Sequence, residues 1–381
     1  MSNTIGQICS RFSSGDTITT KSIQTKGKYP VYGGNGLRGY TDSYNFDGEC
    51  AIIGRQGAKC GNVRYFKGKA FMTEHAIIAV ANKDNSSGYL SYKLQQMNLN
   101  RYQGQSAQPG LSVKTLSDVP ISMPPLKVQE NIFDILNTIS IKIENNNKII
   151  SELECMAKTI YDYWFLQFEF PNEDGKPYKS SGGKMVWNEE LKREIPEGWG
   201  VTNVGNITTC LDSKRVPLSS KDRESMKGPY PYYGATSEMD SVNEYLFDGD
   251  YVLLAEDGSV MDDNGFPILQ RTSGKVWVNN HAHVLQPKEP YGCKLLMFIL
   301  KNIPVSMIKT GSIQMKVNQE NLNAFKVLSI PENIIEKANS ILNPIDTKII
   351  MLKQENQKLA SLRDFLLPML MNGQVTFKEE A

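Results

Sequence analysis

The sequence predicts an α+β protein made of two β-rich domains, each followed by a long α-helix. Three observations lead to this prediction: sequence blocks recur about 200 residues apart, short apolar runs fill the first part of each repeat, and a 4-3 apolar spacing fills the second. We expect the two helices to pack as an antiparallel coiled coil with pseudo-two-fold symmetry. The predicted segments are domains 1–123 and 200–330, helices 124–168 and 331–373, a connection 169–199 and a tail 374–381.

Five blocks in the same order indicate an internal duplication. The matched pairs are 5–8 with 204–207, 29–33 with 230–234, 46–49 with 247–250, 73–76 with 279–282, and 104–108 with 310–314. The offset grows from 199 through 201 to 206 along the chain. We therefore expect an insertion in the second copy, between the third and fourth blocks.

The first part of each repeat reads as short strands joined by turns. Apolar runs at 49–54, 75–80 and 250–255 are bounded by Gly, Asp or Asn, as is usual for buried strands. Glycine and asparagine at 33–36 and 57–62 supply the turns. Each repeat therefore begins with a compact, β-rich α+β domain.

The second part of each repeat changes to a helical period at proline. The first seam follows Pro125 and runs through Ile132, Leu136, Ile139, Ile143, Ile150, Leu153, Ala157, Ile160 and Trp164. The second follows Pro331 and runs through Ala338, Leu342, Ile345, Ile349, Leu352 and Leu359. Some forty residues make a rod of about 60 Å, long enough to hold two domains apart.

Three residues break this seam pattern. Asn146 and Asn356 each occupy a seam position, where they either pair with a polar partner that sets the register or lie exposed. Pro344 lacks a backbone donor and predicts a kink or a late helix start. Between the repeats, the Gly- and Pro-rich stretch 170–184 predicts a long, irregular surface connection.

Composition narrows the class of protein. The sequence is 40% hydrophobic and 22% charged, has no apolar run near the ~20 residues of a membrane span, and lacks a signal-like start, so we expect a cytoplasmic globular protein. Its six cysteines form no C-x-x-C pair, which argues against a zinc knuckle and a disulfide framework. We expect reduced, mostly buried thiols.

Charge is distributed unequally between the repeats. Residues 1–123 hold 14 Lys and Arg against 7 Asp and Glu, a balance of +7, whereas residues 200–330 hold 13 against 14, a balance of −1. By charge alone, the first domain is a candidate phosphate-binding surface, although a solvated basic face is the simpler alternative. We hypothesise that the second domain contributes less phosphate binding and depends more on base contacts and on a partner.

Motifs at the junctions between segments carry a family resemblance. They are PPLKVQE at 124–130, Trp164 with Phe165, DGKPYKSSGGKMV at 174–186, EIPEGW at 194–199 and LPMLMNGQV at 367–375. Together they resemble the specificity subunit of type I restriction-modification systems over essentially the whole chain. The amino terminus departs from the pattern, because nothing before residue 5 corresponds to 195–199. Either the first domain is shortened, or the chain's other end supplies the missing edge.

The resemblance implies a DNA-reading subunit without catalytic activity. In that family each β-rich domain is a target recognition domain for one half of a split, asymmetric DNA sequence, and the helices act as a ruler for the unread spacer. The helices also dock two methyltransferase subunits, which use S-adenosylmethionine to methylate adenine. Restriction and translocase subunits, which use ATP and Mg²⁺, join to cut unmodified DNA. The chain itself is expected to bind no cofactor.

Residue patterns were also tested for enzyme and metal chemistry. The chain has no Asn-Pro-Pro-aromatic or Asp-Pro-Pro-Tyr tetrapeptide and no G-x-x-x-x-G-K-[ST] phosphate loop. Only the pair His281 and His283 could approach a metal from one strand face, without an acidic or Cys ligand nearby in sequence, so no metal is expected. The densest group of carboxylates is Glu256, Asp257, Asp262 and Asp263. We interpret this cluster as part of a solvated loop, and a cation or nuclease site is the alternative.

DNA recognition calls for Lys and Arg at phosphates and for Arg, Asn, Gln, Lys or Ser at base edges. The candidates in the first domain are Lys26, Lys28, Asn35, Arg38, Arg55, Gln56, Lys59, Arg101, Gln105, Ser106 and Gln108. Those in the second are Thr236, Ser237, Lys309, Ser312, Gln314 and Lys316, with Arg271 and Lys275 assigned to the inserted loop. The repeated Tyr32 and Tyr233 are interpreted as packing residues.

Two other classes remain open at this point. A self-sufficient DNA-modifying enzyme is disfavoured by the missing motifs, and would methylate or cut DNA unaided. A two-headed coiled-coil protein adaptor would shift no duplex, even with a methyltransferase partner. Divergent loops on matched scaffolds favour the DNA-reading subunit and predict a non-palindromic target with a gap.

Overall fold

A computed structural model describes residues 3–57, 59–104, 110–311 and 315–375 of the chain. Contacts divide it into two units, the first made of Met1–Glu144 with Gln357–Ala381 and the second of Asn145–Asn356. Each unit thus combines one β-rich domain with part of each long helix. None of the helices in the described ranges has the length and apolar character that a bilayer span requires.

The first unit follows the predicted order of strands and helices. Its elements are β1 (Asn3–Thr4), α1 (Ile5–Ile8), β2 (Cys9–Ser14), β3 (Tyr29–Gly33), β4 (Gly36–Thr41), β5 (Phe46–Gly54), β6 (Val63–Met72), β7 (Ala76–Ala81), α2 (Ser87–Gln96), α3 (Val113–Ser117), β8 (Pro120–Ile121) and the start of α4 (Leu126–Tyr161). The main sheet has the order β2-β7-β5-β6-β3-β4, in which β3 runs parallel to β6 and the other neighbours are antiparallel. Strand β1 pairs with β8, which brings the two ends of the domain together.

The second unit repeats this plan with additions. It contains the rest of α4, then β9 (Met185–Asn188), β10 (Arg193–Pro196), β11 (Gly200–Asn203), α5 (Val204–Ile207), β12 (Thr208–Cys210), α6 (Ser220–Ser225), β13 (Lys227–Tyr233), β14 (Glu238–Val242), β15 (Phe247–Ala255), β16 (Leu269–Val278), β17 (Ala282–Pro287), α7 (Cys293–Lys301), β18 (Lys309–Thr310), β19 (Lys316–Val317), α8 (Gln319–Ala324), β20 (Lys326–Ser329) and the start of α9 (Glu332–Met371). Its main sheet has the order β12-β17-β15-β16-β13-β14. Position for position this is the order of the first sheet, so the predicted duplication is confirmed.

The insertion in the second copy lies between β15 and β16. Thirteen residues connect these strands, compared with eight between β5 and β6, and the difference of five matches the change of offset from 201 to 206. Arg271 and Lys275, which the sequence analysis assigned to the inserted loop, lie instead on β16. That assignment was wrong because the inserted residues precede the strand.

Each sheet buries one face against a helix of its own domain. In the first unit Ile53 and Ile77 pack with Leu90 and Leu94 of α2. In the second unit Val252 and Leu254 of β15 pack with the apolar face of α7. The Ser86 hydroxyl accepts a hydrogen bond from the Tyr89 N–H and caps the start of α2.

The long helices contribute to both cores, as their apolar spacing predicted. In the first unit Ile132 and Leu136 of α4 pack with Leu370 and Met371, from the end of α9, and with tyrosines of α2. In the second unit Ile150 and Ala157 of α4 share a core with the seam residues 342–352 of α9. The last turns of α9 thus pack in the core of the first unit.

Helix α9 does not start late. It begins at Glu332 and continues past Pro344, so that alternative for Pro344 was wrong. Pro344 lies on the exposed side, and the carbonyl of Ser340, which loses its intrahelical partner, is on an exposed residue where water can bond to it.

A polar layer interrupts the helical seam within the second unit. The Asn146 side chain is buried and its amide donates to Asn356 Oδ1 at 2.9 Å and to Glu355 Oε2 at 2.8 Å. The Asn356 amide in turn donates to Asn147 Oδ1 at 2.9 Å. Of the two alternatives for these asparagines, the paired one is correct. A shift of register would leave the buried Asn146 amide unpaired, so the layer selects one alignment of the helices.

Leucine substitutions in this layer should change stability in opposite directions. Asn146→Leu alone removes the donor to Asn356 Oδ1 and to Glu355 Oε2 and should cost about 1–3 kcal/mol, whereas Asn146→Leu with Asn356→Leu should be at least as stable as the wild type. Urea unfolding followed by tryptophan fluorescence reports on this unit, because all four tryptophans, Trp164, Trp187, Trp199 and Trp277, lie in it. A single variant as stable as the wild type would contradict the pairing.

The connecting segment 169–199 folds onto the second unit. Its stretch 170–184 is irregular, as expected, but β9 and β10 form a hairpin behind it. Phe170 is only 4% exposed and stacks on Tyr178 at 4.7 Å and on Trp199 at 4.9 Å between ring centroids. The interpretation as a surface connection therefore overlooked its buried aromatic residues.

Candidate nucleic-acid interface

Four loops of the first unit meet around the end of strand β5. Gly34, in the β3–β4 turn, packs so closely that an added Cβ would lie 3.0 Å from the carbonyl oxygens of Gln56 and His75. Gln56 forms a bridge with Gly110, and an added Cβ on Gly61 would lie 2.7 Å from the Asn100 nitrogen. The turn at 34–35, the loop residues 55–57, 59–62 and 73–75, and the residues 100–104 and 110 therefore form one surface.

This surface gathers several of the sequence-predicted DNA contacts. Asn35, Gln56, Lys59 and Arg101 are exposed on it, and Arg38 is exposed on the adjoining β4. Gln105, Ser106 and Gln108 lie outside the described residues. The guanidinium of Arg64, which the sequence analysis did not select, lies against Gly36 of the same turn. The place of Arg64 beside this turn follows from the pairing of β6 with its neighbouring strands, which the sequence does not reveal.

Three of the first-domain candidates do not lie exposed on this loop surface. Lys26 and Lys28 precede β3, a five-residue strand of about 17 Å, and the loop cluster lies at its other end. The Lys28 ammonium lies 5.4 Å from the Tyr29 ring centroid. Arg55 is half-buried and donates to the Leu111 carbonyl at 3.2 Å and to Ser14 Oγ at 3.3 Å, so it ties the loops together.

The corresponding loops of the second unit line a cleft of about 610 Å³. Thr236 and Ser237 line it, as predicted for DNA contacts, with His281, Asp257 and Arg223, which the sequence analysis did not select. His281 is half exposed, and its Nδ1 lies 2.8 Å from Asp257 Oδ1. His75 at the equivalent position of the first unit has its Nε2 3.2 Å from Glu74 Oε1. A histidine paired with a carboxylate thus recurs at both surfaces.

The remaining second-domain candidates for DNA contacts differ in exposure and in their partners. Lys309 is half-buried on β18 and Lys275 is exposed, with its ammonium 4.5 Å from the Tyr245 ring centroid. A side-chain hydrogen bond with Tyr245 raises the pKa of Lys275. Ser312 and Gln314 lie outside the described residues. Lys316 is exposed, but it is paired with Glu256.

Arg271, which was predicted to contact DNA, is occupied by ion pairs within the protein. Its side chain is 13% exposed; Nε donates to Asp346 Oδ2 at 2.8 Å and Nη2 donates to Asp250 Oδ1 at 2.8 Å. Nη1 donates to the backbone carbonyl of Thr272. All three guanidinium nitrogens have protein partners, so Arg271 holds β15 and α9 to β16 instead of facing a ligand.

Directly beneath the cleft lies a buried network of charged side chains. Glu256 accepts from Arg215 Nη1 at 2.6 Å and from Lys316 Nζ at 2.8 Å. Asp212 lies 3.3 Å from Arg215 Nη2 and 2.5 Å from His283 Nδ1. The side chains of Asp212, Arg215, Glu256 and His283 are each 11% exposed or less.

The network keeps its carboxylates ionised despite their burial. Burial alone would raise the pKa of Asp212, but hydrogen bonds from His283 and from the Val284 N–H outweigh it and lower the pKa. Burial opposes ionisation of Glu256 in the same way, and the hydrogen bonds from Lys316 and Arg215 lower its pKa. The solvated-loop interpretation was therefore wrong for Glu256, which is enclosed by cations.

Cys210, Asp212 and His283 bring three possible metal-ligand atoms within 4.8 Å of one another. No acidic or Cys ligand lies near the histidines in sequence, but the pairing of β12 with β17 brings together residues some 70 positions apart. The three side chains do not suit a metal, however. Both ring nitrogens of His283 face acceptors, Asp212 and the Val317 carbonyl at 3.1 Å, and burial raises the pKa of the Cys210 thiol to about 12. The expectation of no metal stays a prediction.

Comparisons with known proteins agree with this architecture. Residues 1–155 and 196–361 match a family model described as type I restriction modification DNA specificity domain. The chain is 36% identical over 141 residues to the EcoprrI specificity subunit of Escherichia coli, a match that covers 36% of this chain and 35% of that one.

Two further matches extend over more of the chain. The MjaIX specificity subunit of Methanocaldococcus jannaschii is 28% identical over 313 residues, which cover 77% of this chain and 70% of that one. The crystal structure of a type I restriction-modification system S subunit from M. genitalium matches with a TM-score of 0.71 at 18% identity, covering 100% of this chain and 96% of that one. At that identity the likeness is one of fold.

Proposed function

Because this chain belongs to the type I restriction-modification DNA specificity domain family, we propose that it reads a bipartite, asymmetric DNA target as a specificity subunit. The observation that carries the proposal is the repetition of one six-strand sheet order with different loops. Equal scaffolds present equal surfaces to DNA, and unequal side chains on them select different bases. The target therefore consists of two unlike halves with an unread gap.

The two domains divide phosphate and base contacts unequally in this proposal. The balance of +7 in residues 1–123 favours phosphate binding by the first domain. The balance of −1 in residues 200–330 gives the second domain little attraction for phosphates, so it relies on base contacts within its cleft.

We further propose that the long helices set the gap and dock two methyltransferase subunits. Exposed apolar residues recur at an offset of 206 on the two helices, Ile135 with Ile341 and Met156 with Leu362, each 37–49% exposed. Recurring apolar contacts suit two copies of one partner. The methyltransferase subunits would carry S-adenosylmethionine, and restriction subunits recruited through them would carry ATP and Mg²⁺. The assembly would act on DNA in the cytoplasm, and this chain would do no chemistry.

Methylation mapping tests the proposal. The chain and a methyltransferase partner are produced together in cells without other adenine methylation, and methyladenine is mapped across the genome. We expect one split, non-palindromic motif that disappears when the chain is omitted. Gln56→Ala should alter one half of the motif and Thr236→Ala the other. Methylation or cleavage by the purified chain alone would establish an enzyme, and an assembled complex without any motif would indicate an adaptor.

A further inference from the structure

The buried network beneath the second-domain cleft adjoins the loops that line it. Arg215 comes two residues before the cleft segment 217–220, and Glu256 directly precedes the segment 257–259. Arg215 Nη1 also donates to the carbonyls of Asn280 at 3.4 Å and Ala282 at 2.7 Å, which flank the cleft residue His281. Three of the four loops that line the cleft are therefore tied to one charged cluster.

The same network reaches strand β19. His283 Nε2 lies 3.1 Å from the Val317 carbonyl, and Lys316 bonds Glu256 from that strand. The backbone of Val317 donates to the Glu256 carbonyl at 2.8 Å. Strand β19 is thus held to the network by side-chain and backbone bonds together.

Such a network is an inefficient way to stabilise a fold. Buried ion pairs repay the loss of hydration only with good geometry, and apolar residues of similar size often stabilise as well or better. Charged groups with directional hydrogen bonds do, however, allow few arrangements of the backbone around them. The structure therefore fits a role in fixing loop geometry better than a role in overall stability.

We propose that the network of Asp212, Arg215, Glu256, His283 and Lys316 positions the cleft loops and so determines discrimination at the second half-site without touching DNA. The inference rests on the proposed function, because it assigns a base-reading role to the cleft. It makes these five residues positioning residues for recognition by the second domain.

The first domain offers an internal reference. At the equivalent place Arg55 donates to Ser14 Oγ and to the Leu111 carbonyl, with no carboxylate among these partners. Changes to the second-domain network should therefore leave discrimination at the first half-site unchanged. A general defect of folding or assembly would affect both halves.

The Glu256→Gln variant tests the proposal because an electrostatic role and a positioning role predict different results. An electrostatic role changes affinity for all sequences alike and leaves discrimination unchanged, whereas a positioning role lowers discrimination. Removal of a negative charge near DNA should strengthen binding by simple electrostatics. If the network positions the loops, the same change lowers discrimination between the target and single-base variants of the second half-site by roughly tenfold. Binding is measured with the assembled methyltransferase complex on duplexes carrying the mapped motif.

The matched control is Glu190→Gln. Glu190 is also ion-paired, to Lys326 at 2.6 Å, but it is 52% exposed and lies away from the cleft. It loses the same charge and should keep full discrimination at both half-sites.

A second pair of variants covers the case in which Glu256→Gln fails to fold. Lys316 and Lys326 are almost equally exposed, at 56% and 55%, and each pairs with one glutamate. Lys316→Met should lower discrimination at several base pairs of the second half-site, whereas Lys326→Met should not. A direct phosphate contact by Lys316 would instead weaken binding to all sequences alike.

The outcomes separate this inference from the proposed function. If the wild-type complex recognises a split motif and folded Glu256→Gln and Lys316→Met keep its discrimination, the positioning role is wrong while the function stands. If the wild-type complex recognises no motif, the proposed function itself fails. Loss of discrimination at the second half-site alone, in either variant, supports the inference.

Discussion

Replacement of Arg271 by methionine is expected to lower the free energy of unfolding of the second unit by about 3–5 kcal/mol. Arg271 pairs with Asp346, whose side chain is 8% exposed, and without the guanidinium this buried carboxylate loses its ion-pair partner and keeps only the Coulombic attraction of Lys294. The other partner, Asp250, is 60% exposed, so loss of its ion pair with Arg271 costs less stability. Urea unfolding followed by tryptophan fluorescence measures the change.

Two comparisons make the Arg271 result specific. Lys275→Met, four residues along the same strand, removes an exposed charge and should change stability by less than about 0.5 kcal/mol. Arg271→Met combined with Asp346→Leu removes the buried negative charge and should recover part of the loss, because the buried Lys294 ammonium then loses the Coulombic attraction of Asp346. If Arg271→Met retains stability yet abolishes DNA binding, Arg271 is a DNA contact after all.

Trp199→Ala is expected to cost about 3–5 kcal/mol in the same assay. The Trp199 ring is 9% exposed; it stacks on Phe170 at 4.9 Å and meets Phe168 edge-on at 5.8 Å. Its removal opens a cavity between the connecting segment and the core of the second unit. The three remaining tryptophans still report unfolding.

Trp187→Ala is the matched control for Trp199→Ala. Trp187 belongs to the same connecting segment, in strand β9, but is 57% exposed. Its loss should change stability by less than about 1 kcal/mol. Equal and small effects of the two substitutions would mean that residues 169–199 do not fold onto the second unit in solution.

Periodic and repeated features were predictable from the sequence. The recurring blocks predicted two β-rich domains of one plan. The 4-3 spacing after Pro125 and Pro331 predicted the second helix to within two residues at each end and the first to within two residues at its start, although α4 ends at Tyr161 and not at 168. The spacing placed Asn146 and Asn356 on the seam but left open whether they pair or lie exposed, and the structure shows them paired. These features depend on neighbours one or two turns away, or on comparison of the chain with itself.

The candidate DNA contacts were predictable only in part. Exposed loop residues such as Gln56, Lys59 and Thr236 do lie where loops converge. Residue type, however, does not separate an arginine that faces solvent from one that holds two carboxylates, as Arg271 does. Arg64 and His281 were missed because a strand residue and a paired histidine carry no composition signal for an interface.

The sequence alone therefore determined the duplication, the two helices and the inequality of the two domains in charge. The tertiary structure decided which charges are buried and which face the cleft. Pairing of β12 with β17 sets Cys210 opposite Leu285 and thereby brings Asp212 to His283. A slip of one residue in that register would turn His283 to the opposite face of the sheet, because side chains alternate along a strand.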